Sequence, residues 1–359
     1  MADMNSRAVN LMNGSDAGKI RSIPVDSCYL CGADGSLLYG GLKDRLFNVM
    51  GEWSLVSCTN HECGLVWLNP KPLPEEIGKL YVDYCTHTAN SPAIESVSLF
   101  RKGLLSIGAF FGKGEASVEA FVGSVRNSLA LFGPRREMAE ASIMWLSGKP
   151  TGRLLDVGCG SGHFLKQMRA SGWEVFGVEP DPKAVAVARD EYDMDVRQGD
   201  LASVGFDDDM FDAITLSHVI EHVPDPAVLL SECRRVLKPG GSLVVTTPNM
   251  ECLCHTLFKE SWLDLDPPRH LYIFSALSIK SCASKAGIQV MSIKTCSRLA
   301  NSRWFASMML KDNGRIPNFD IPTQSFKQNL QAKFFHKVEY VLSRFRNVGE
   351  EIVLIGTKR

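Results

Sequence analysis

From Arg153 onward the chain alternates short apolar runs with amphipathic segments. Leu154–Val157, Glu174–Val178, Asp195–Gln198, Ala213–Ser217 and Ser242–Thr246 read as strands. Between them, Phe164–Ser171, Pro182–Glu191 and Ala227–Leu237 read as helices. Strand and helix alternating at this spacing predict a mostly parallel sheet with helices on both faces, an α/β Rossmann-like fold. The turn Lys238-Pro239-Gly240-Gly241 supplies the Pro and Gly that stop the last of these helices. Gln289–Thr295 and Glu351–Gly356 would close the sheet at seven strands, with a mostly helical insertion over about 300–347 between them.

The first part of the chain has a different texture. Residues 1–22 lack periodicity and are expected to be flexible. Residues 23–74 are poor in helix pattern and rich in Cys, Gly and Pro, with one apolar run at Leu65–Leu68, and so predict a small module of short strands. Residues 75–150 read as a helical connector or lid, including the 98–132 stretch with Leu104, Leu105, Ile107, Phe110 and Phe111. Residues 151–359 form the main α/β unit.

Composition narrows the class. With 45% hydrophobic and 22% charged residues the chain is of soluble globular type. A formal net charge of -1 offers no global field toward nucleic acid or an anionic membrane. No stretch reaches the ~18 apolar residues of a transmembrane helix, and the polar N-terminus lacks an export signal. Eleven cysteines in such a chain fit reduced thiols, some binding metal, in a cytoplasmic enzyme.

Candidate chemistry begins at the first strand tip. Asp156 is followed by Gly158, Gly160 and Gly162, which let the backbone turn tightly and approach a ligand. His163-Phe164-Leu165 then opens a helix whose free N–H groups favour a carboxylate. The spacing is G-x-G-x-G, with His163 where a dinucleotide fingerprint has Gly, which favours an amino-acid-bearing nucleoside over a pyrophosphate. Glu179 ends the second strand, where a carboxylate can accept both ribose hydroxyls. Asp200 follows the third, suited to an adenine amino group.

The run from Arg153 to about Thr295 resembles the S-adenosylmethionine (SAM) binding domain of class I methyltransferases, and within them the ubiquinone-biosynthesis-like O-methyltransferases. The segment His218-Val219-Ile220-Glu221-His222-Val223-Pro224-Asp225-Pro226 looks like that subgroup's stretch after strand four. Val236-Leu237-Lys238-Pro239-Gly240-Gly241 and Thr247-Pro248-Asn249 look like its approach to and exit from strand five. The resemblance implies SAM contacts at Asp156, Gly158, Gly160, Glu179, Asp200 and Leu201, with Ser217 and His218 beside the sulfonium.

Cys28-x2-Cys31 and Cys58-x4-Cys63 could supply four thiolates to one tetrahedral, structural Zn2+, with His61 as an alternative ligand. The segment also resembles zinc-binding front modules of some sugar and small-molecule methyltransferases. Four ordinary buried cysteines are the competing reading.

A methyl on a sulfonium is already activated, so the enzyme must align an acceptor and, for a hydroxyl, remove a proton. His218, Glu221 and His222 fall at i, i+3 and i+4, one face of a helical turn, able to bind a divalent metal or supply a base. Relatives carry an acid at the position of His218, a departure for any metal site carried over. His270, in Asp266-Pro267-Pro268-Arg269-His270-Leu271, is the first choice for the base, with His218 and His222 behind it. Cys252-Leu253-Cys254-His255 reads as loop packing. The expected partner is a small-molecule acceptor, phenolic, lipid-linked or saccharide; peripheral membrane contact stays open. RNA is a poor partner, because residues 27–70 set Lys43 and Arg45 against Asp34, Asp44, Glu52 and Glu62. A SAM-binding regulator is the non-enzymatic alternative.

Overall fold

The computed structural model describes residues 20–81 and 133–359. The helical reading of 98–132 therefore lies outside the described residues. On either side of the gap stand a 3-10 helix, Pro74–Tyr81, and helix α1, Gly133–Ser142.

The main unit is built on β6 (Arg153–Val157), β7 (Glu174–Glu179), β8 (Asp195–Gln198), β9 (Phe211–Ser217), β10 (Leu237–Pro248), β12 (Gln289–Cys296) and β13 (Glu351–Thr357). They form one seven-stranded sheet in the order β12-β13-β10-β9-β6-β7-β8. The pairs β10/β9, β9/β6, β6/β7 and β7/β8 are parallel, while β13 runs antiparallel to both neighbours. The expected seven strands are all present. β10 begins five residues earlier than predicted, because Lys238–Gly241 stays in the strand through a register shift between Leu237 and Ser242.

Helices α2 (His163–Ala170), α3 (Pro182–Asp190) and α4 (Pro226–Val236) connect the parallel strands. Asp181 and Asp225 cap α3 and α4 by accepting from backbone N–H groups, each followed by the Pro that suits the first helical turn. Leu154, Leu155, Ala213, Ile214, Leu216, Leu243 and Leu354 are fully buried, as strands covered on both faces require. After β10 come α5 (Leu253–Phe258) and α6 (Ala276–Lys285). The expected insertion consists of α7 (Ala300–Asn313) and α8 (Phe326–Leu342). No described helix is long and apolar enough to cross a membrane.

The front residues form β1 (Ser22–Ile23), β2 (Gly35–Leu42), β3 (Trp53–Cys58), β4 (Val66–Asn69) and β5 (Lys71–Pro72), as short as the pattern predicted. β1 and β5 pair as a separate antiparallel ribbon, and the sheet formed by β2, β3 and β4 has an unexpected member. Its order is β11-β4-β3-β2, and β11 (Tyr272–Ile273) comes from the loop after β10. Trp67, Leu55 and Leu68 share one continuous apolar core with Leu271, Phe274 and Ile279.

Candidate functional site

The sheet order reverses between β6 and β9, and open α/β sheets hold ligands beyond the carboxyl ends at such a switch point. Every residue predicted to touch the cofactor lies along that edge. Gly158, Gly160 and Gly162 have φ of 73°, 53° and 79°, a left-handed loop that side chains resist. A Cβ on Gly158 would stand 2.5 Å from Val219. Glu179 anchors the loop, accepting from the Gly160 N–H at 2.9 Å and the Asp181 N–H at 3.0 Å. The first turn of α2 has no side-chain cap.

Asp156 is buried and accepts from the Thr215 hydroxyl at 2.6 Å. Burial, with the Glu179 charge adding to it, raises its pKa to about 7 against the Thr215 bond. Asp200 is exposed and accepts from the Ser203 N–H at 2.9 Å. Leu201 is 1% exposed, with its side chain in the core. Ser217 accepts from the Thr246 hydroxyl at the tips of β9 and β10.

Three residues at i, i+3 and i+4 were expected on one face, but the turn divides them. His218 takes φ of 56°, and its ring is set between two carboxylates. Nε2 lies 2.7 Å from Glu351 and Nδ1 3.3 Å from Glu221. Burial works against its charge, yet the two acids raise its pKa to about 9. Glu221 is buried and lowered to about 2, burial being outweighed by His218; it also accepts from the Thr247 hydroxyl. Glu351 is held far below the usual carboxylate range, Arg298 and His218 outweighing burial. At neutral pH His218 thus keeps both protons and has no lone pair to offer as a base.

His222 turns the other way, onto His270, with ring centroids 4.7 Å apart. Its Nδ1 stands 3.1 Å from the Arg269 carbonyl and 2.9 Å from the Tyr81 hydroxyl. His270 is buried, with Nδ1 2.7 Å from the Asp264 carbonyl. A carbonyl can only accept, so each Nδ1 carries a proton, and Nε2 is the ring nitrogen left to meet a ligand. Burial and the His270 ring lower His222 to about 4. Glu221, His222 and His270 each bring one ligand-type atom within 4.8 Å of the others, a set that fits a divalent cation.

The four predicted thiols converge. Cys28 and Cys63 sulfurs lie 3.6 Å apart, Cys31 and Cys58 sulfurs 3.4 Å. Tetrahedral Zn–S bonds of about 2.3 Å would separate sulfurs by about 3.8 Å, whereas a disulfide needs about 2.05 Å. All four ligand atoms fall within 4.8 Å of one another, so the donor set fits zinc. His61 is exposed and outside this group. Against burial, the Ala33 N–H and the neighbouring thiols lower Cys31 to about 7, while burial raises Cys58 to about 11. Cys252 caps α5 and Cys254 meets Ser307, in keeping with loop packing.

Sequence reasoning missed Glu351, Tyr81 and Asp44, which reach the site from far along the chain; Asp44 and Arg269 are 225 positions apart. No local spacing could have announced them.

Residues 132–293 match the family model of a methyltransferase domain. The chain is 38% identical over 110 residues to a ubiquinone biosynthesis O-methyltransferase of Alkalilimnicola ehrlichii, covering 29% of this chain and 44% of that one. To the protein of that name from Thiobacillus denitrificans it is 33% identical over 138 residues, covering 35% and 58%. It thus spans about half the length of these curated relatives. A crystal structure of a SAM-dependent methyltransferase from Archaeoglobus fulgidus aligns with TM-score 0.41 at 21% identity, covering 64% of this chain and 94% of that one.

Proposed function

We propose that this chain, which carries a class I SAM-dependent methyltransferase domain, transfers the methyl group of SAM to a hydroxyl of a small-molecule acceptor. The observation that carries the reading is the division of the sheet's carboxyl edge. A glycine loop tied to Glu179 stands at the switch point, and a pair of packed imidazoles, His222 and His270, stands beyond β9 and β10. The relatives' names point to oxygen as the atom methylated.

SAM supplies an activated methyl on a sulfonium, which needs no enzyme nucleophile. Glu179 accepts the ribose hydroxyls; a carboxylate has about four acceptor sites, enough to hold the loop and the ribose together. Asp200 and the Leu201 backbone meet the adenine, Asp156 and Gly158 to Gly162 the amino-acid end. Ser217 and the His218 cation border the sulfonium side. His270 takes the acceptor's proton on Nε2, while the Asp264 carbonyl holds the ring in that tautomer. His222 packs on it and excludes water. Cys28, Cys31, Cys58 and Cys63 hold one structural zinc.

The pure protein, incubated with labelled SAM and host extract, should label a small molecule whose new methyl is an ether by mass spectrometry. His270→Ala should bind SAM normally and turn over that acceptor ~100- to 10,000-fold more slowly at pH 7. Activity should partly return at higher pH, as the acceptor ionises itself. Label in RNA, or near-normal turnover by the variant, would reject the respective part.

A second reading has Glu221, His222 and His270 hold a divalent cation, which would lower the acceptor hydroxyl's pKa. The two Nδ1–H···O=C bonds favour it, since metal-binding imidazoles are fixed in this way. Manganese binding by calorimetry, lost in Glu221→Gln, would establish it; no binding would leave His270 as the unaided base.

A further inference from the structure

The front module meets the main domain along several segments, through Tyr29 and Ala227, Lys71 and Pro224, and Arg45 and Ile316 among others, and one of them is the loop that carries His270. Arg269 is 0% exposed and bridges the two. Its guanidinium donates to both oxygens of Asp44, at 2.8 and 2.9 Å, and to Asp266 on its own loop. Asp44 in turn accepts from the Leu46, Phe47 and Val49 N–H groups, which fix its place in the module.

The same arginine holds the imidazoles. Its carbonyl accepts from His222 Nδ1, and its N–H shares the Asp266 carbonyl with the N–H of His270. The backbone continues the link, with Leu68 N–H donating to the Leu271 carbonyl while the Leu271 and Tyr272 N–H groups donate to the Glu221 carbonyl. From the 3-10 helix that follows the module, the Tyr81 hydroxyl reaches His222 directly. A fully buried ion triad contributes little stability beyond apolar packing of the same volume, and leucines and tryptophans already line this seam. What the triad adds is a fixed geometry for the loop.

We propose that the front module is a working part of the acceptor site, in which Asp44 positions the His270 loop through Arg269 and Tyr81 orients the His222 ring. This rests on the reading that His222 and His270 face the acceptor. Asp44 and Tyr81 are positioning residues, because they act through Arg269 and His222 and not on the reacting hydroxyl.

The test uses the full chain with Asp44→Asn, which keeps an acceptor for the loop N–H groups but removes the charge from Arg269. SAM affinity should be unchanged by calorimetry. Amide exchange at His270 and Leu271 should quicken while exchange over 156–162 stays as it was. Acceptor kcat should fall by about 10- to 100-fold, more than KM rises, and Asp44→Glu should restore part of it. Tyr81→Phe deletes one half-buried hydroxyl, so it keeps the test available if Asp44→Asn does not fold. It should lower kcat with SAM affinity intact.

Unchanged exchange in Asp44→Asn, equal quickening over 156–162, or full kcat in Tyr81→Phe would each overturn the proposal. Quickened loop exchange with unchanged turnover would uphold the clamp and reject His270 as the base instead.

Discussion

The acids at the strand tips fall into two electrostatic kinds, set by what stands beside each. Glu221 and Glu351 sit next to His218 and Arg298 and stay ionised in spite of burial. Among the described residues no such cation acts on Asp156: burial, with the Glu179 charge adding to it, outweighs the Thr215 hydroxyl and raises its pKa from 3.8 to about 7. Between those values the folded protein holds a proton that the unfolded chain has lost, so this group's contribution to stability falls as pH rises from about 4 to 7. Asp156→Asn should therefore raise the melting temperature of the SAM-free protein more at pH 8 than at pH 4.5. An equal shift at both pH values would contradict the assignment. Glu179 is the complementary case, stabilised by two N–H groups. Glu179→Ala should weaken SAM binding by roughly 1–3 kcal/mol with the fold retained, as calorimetry and circular dichroism would report. Affinity equal to that of the parent would remove the ribose assignment.

At the scale of elements, the informative feature is a pairing that crosses the two parts. β11 completes the module's sheet, and the turn before β4 packs directly on the cap of α6. Gly64 there has φ of 66°, and a Cβ on it would lie 2.6 Å from the Ser275 hydroxyl oxygen. Both the backbone and the close approach demand glycine. Gly64→Ala should destabilise the protein by about 1–3 kcal/mol in urea unfolding, from left-handed strain plus the displaced cap. A loss below about 0.5 kcal/mol, the range of an ordinary surface change, would mean that the seam yields easily.

For the molecule as a whole, the proposed zinc at the four thiols bears on how the front module is held. Small strands with few helices bury too little on their own, and a structural metal supplies the missing folding energy. Protein purified without added metal should contain one zinc per chain by elemental analysis, and Cys28→Ser should lower the occupancy. Stripping the metal with a chelator should loosen the module and slow acceptor turnover before SAM binding is affected, because the cofactor edge lies on the other unit. Metal-free protein with an intact module would end this assignment.

The local code carried the sheet and the glycine loop at its switch point. The strand tips, the glycine loop, Glu179 and the two Cys pairs each lie within short spans, where periodicity, turn chemistry and ligand spacing act between near neighbours. For that reason seven strands could be placed from the apolar pattern, and four cysteines could be grouped from two short spacings. Tertiary structure alone decided how the imidazoles are used. His218 and His222 are four residues apart, yet one becomes a cation between Glu221 and Glu351 while the other is driven neutral against His270. A side chain's charge depends on burial and on whatever packs against it; Glu351 comes to His218 from 133 positions away, and His270 comes to His222 from the loop after β10. The union of module and domain is of the same kind. The apolar run at β4 showed in the sequence, but the two-residue β11 is too short to declare itself, and their ladder exists only because a shared core brings them side by side.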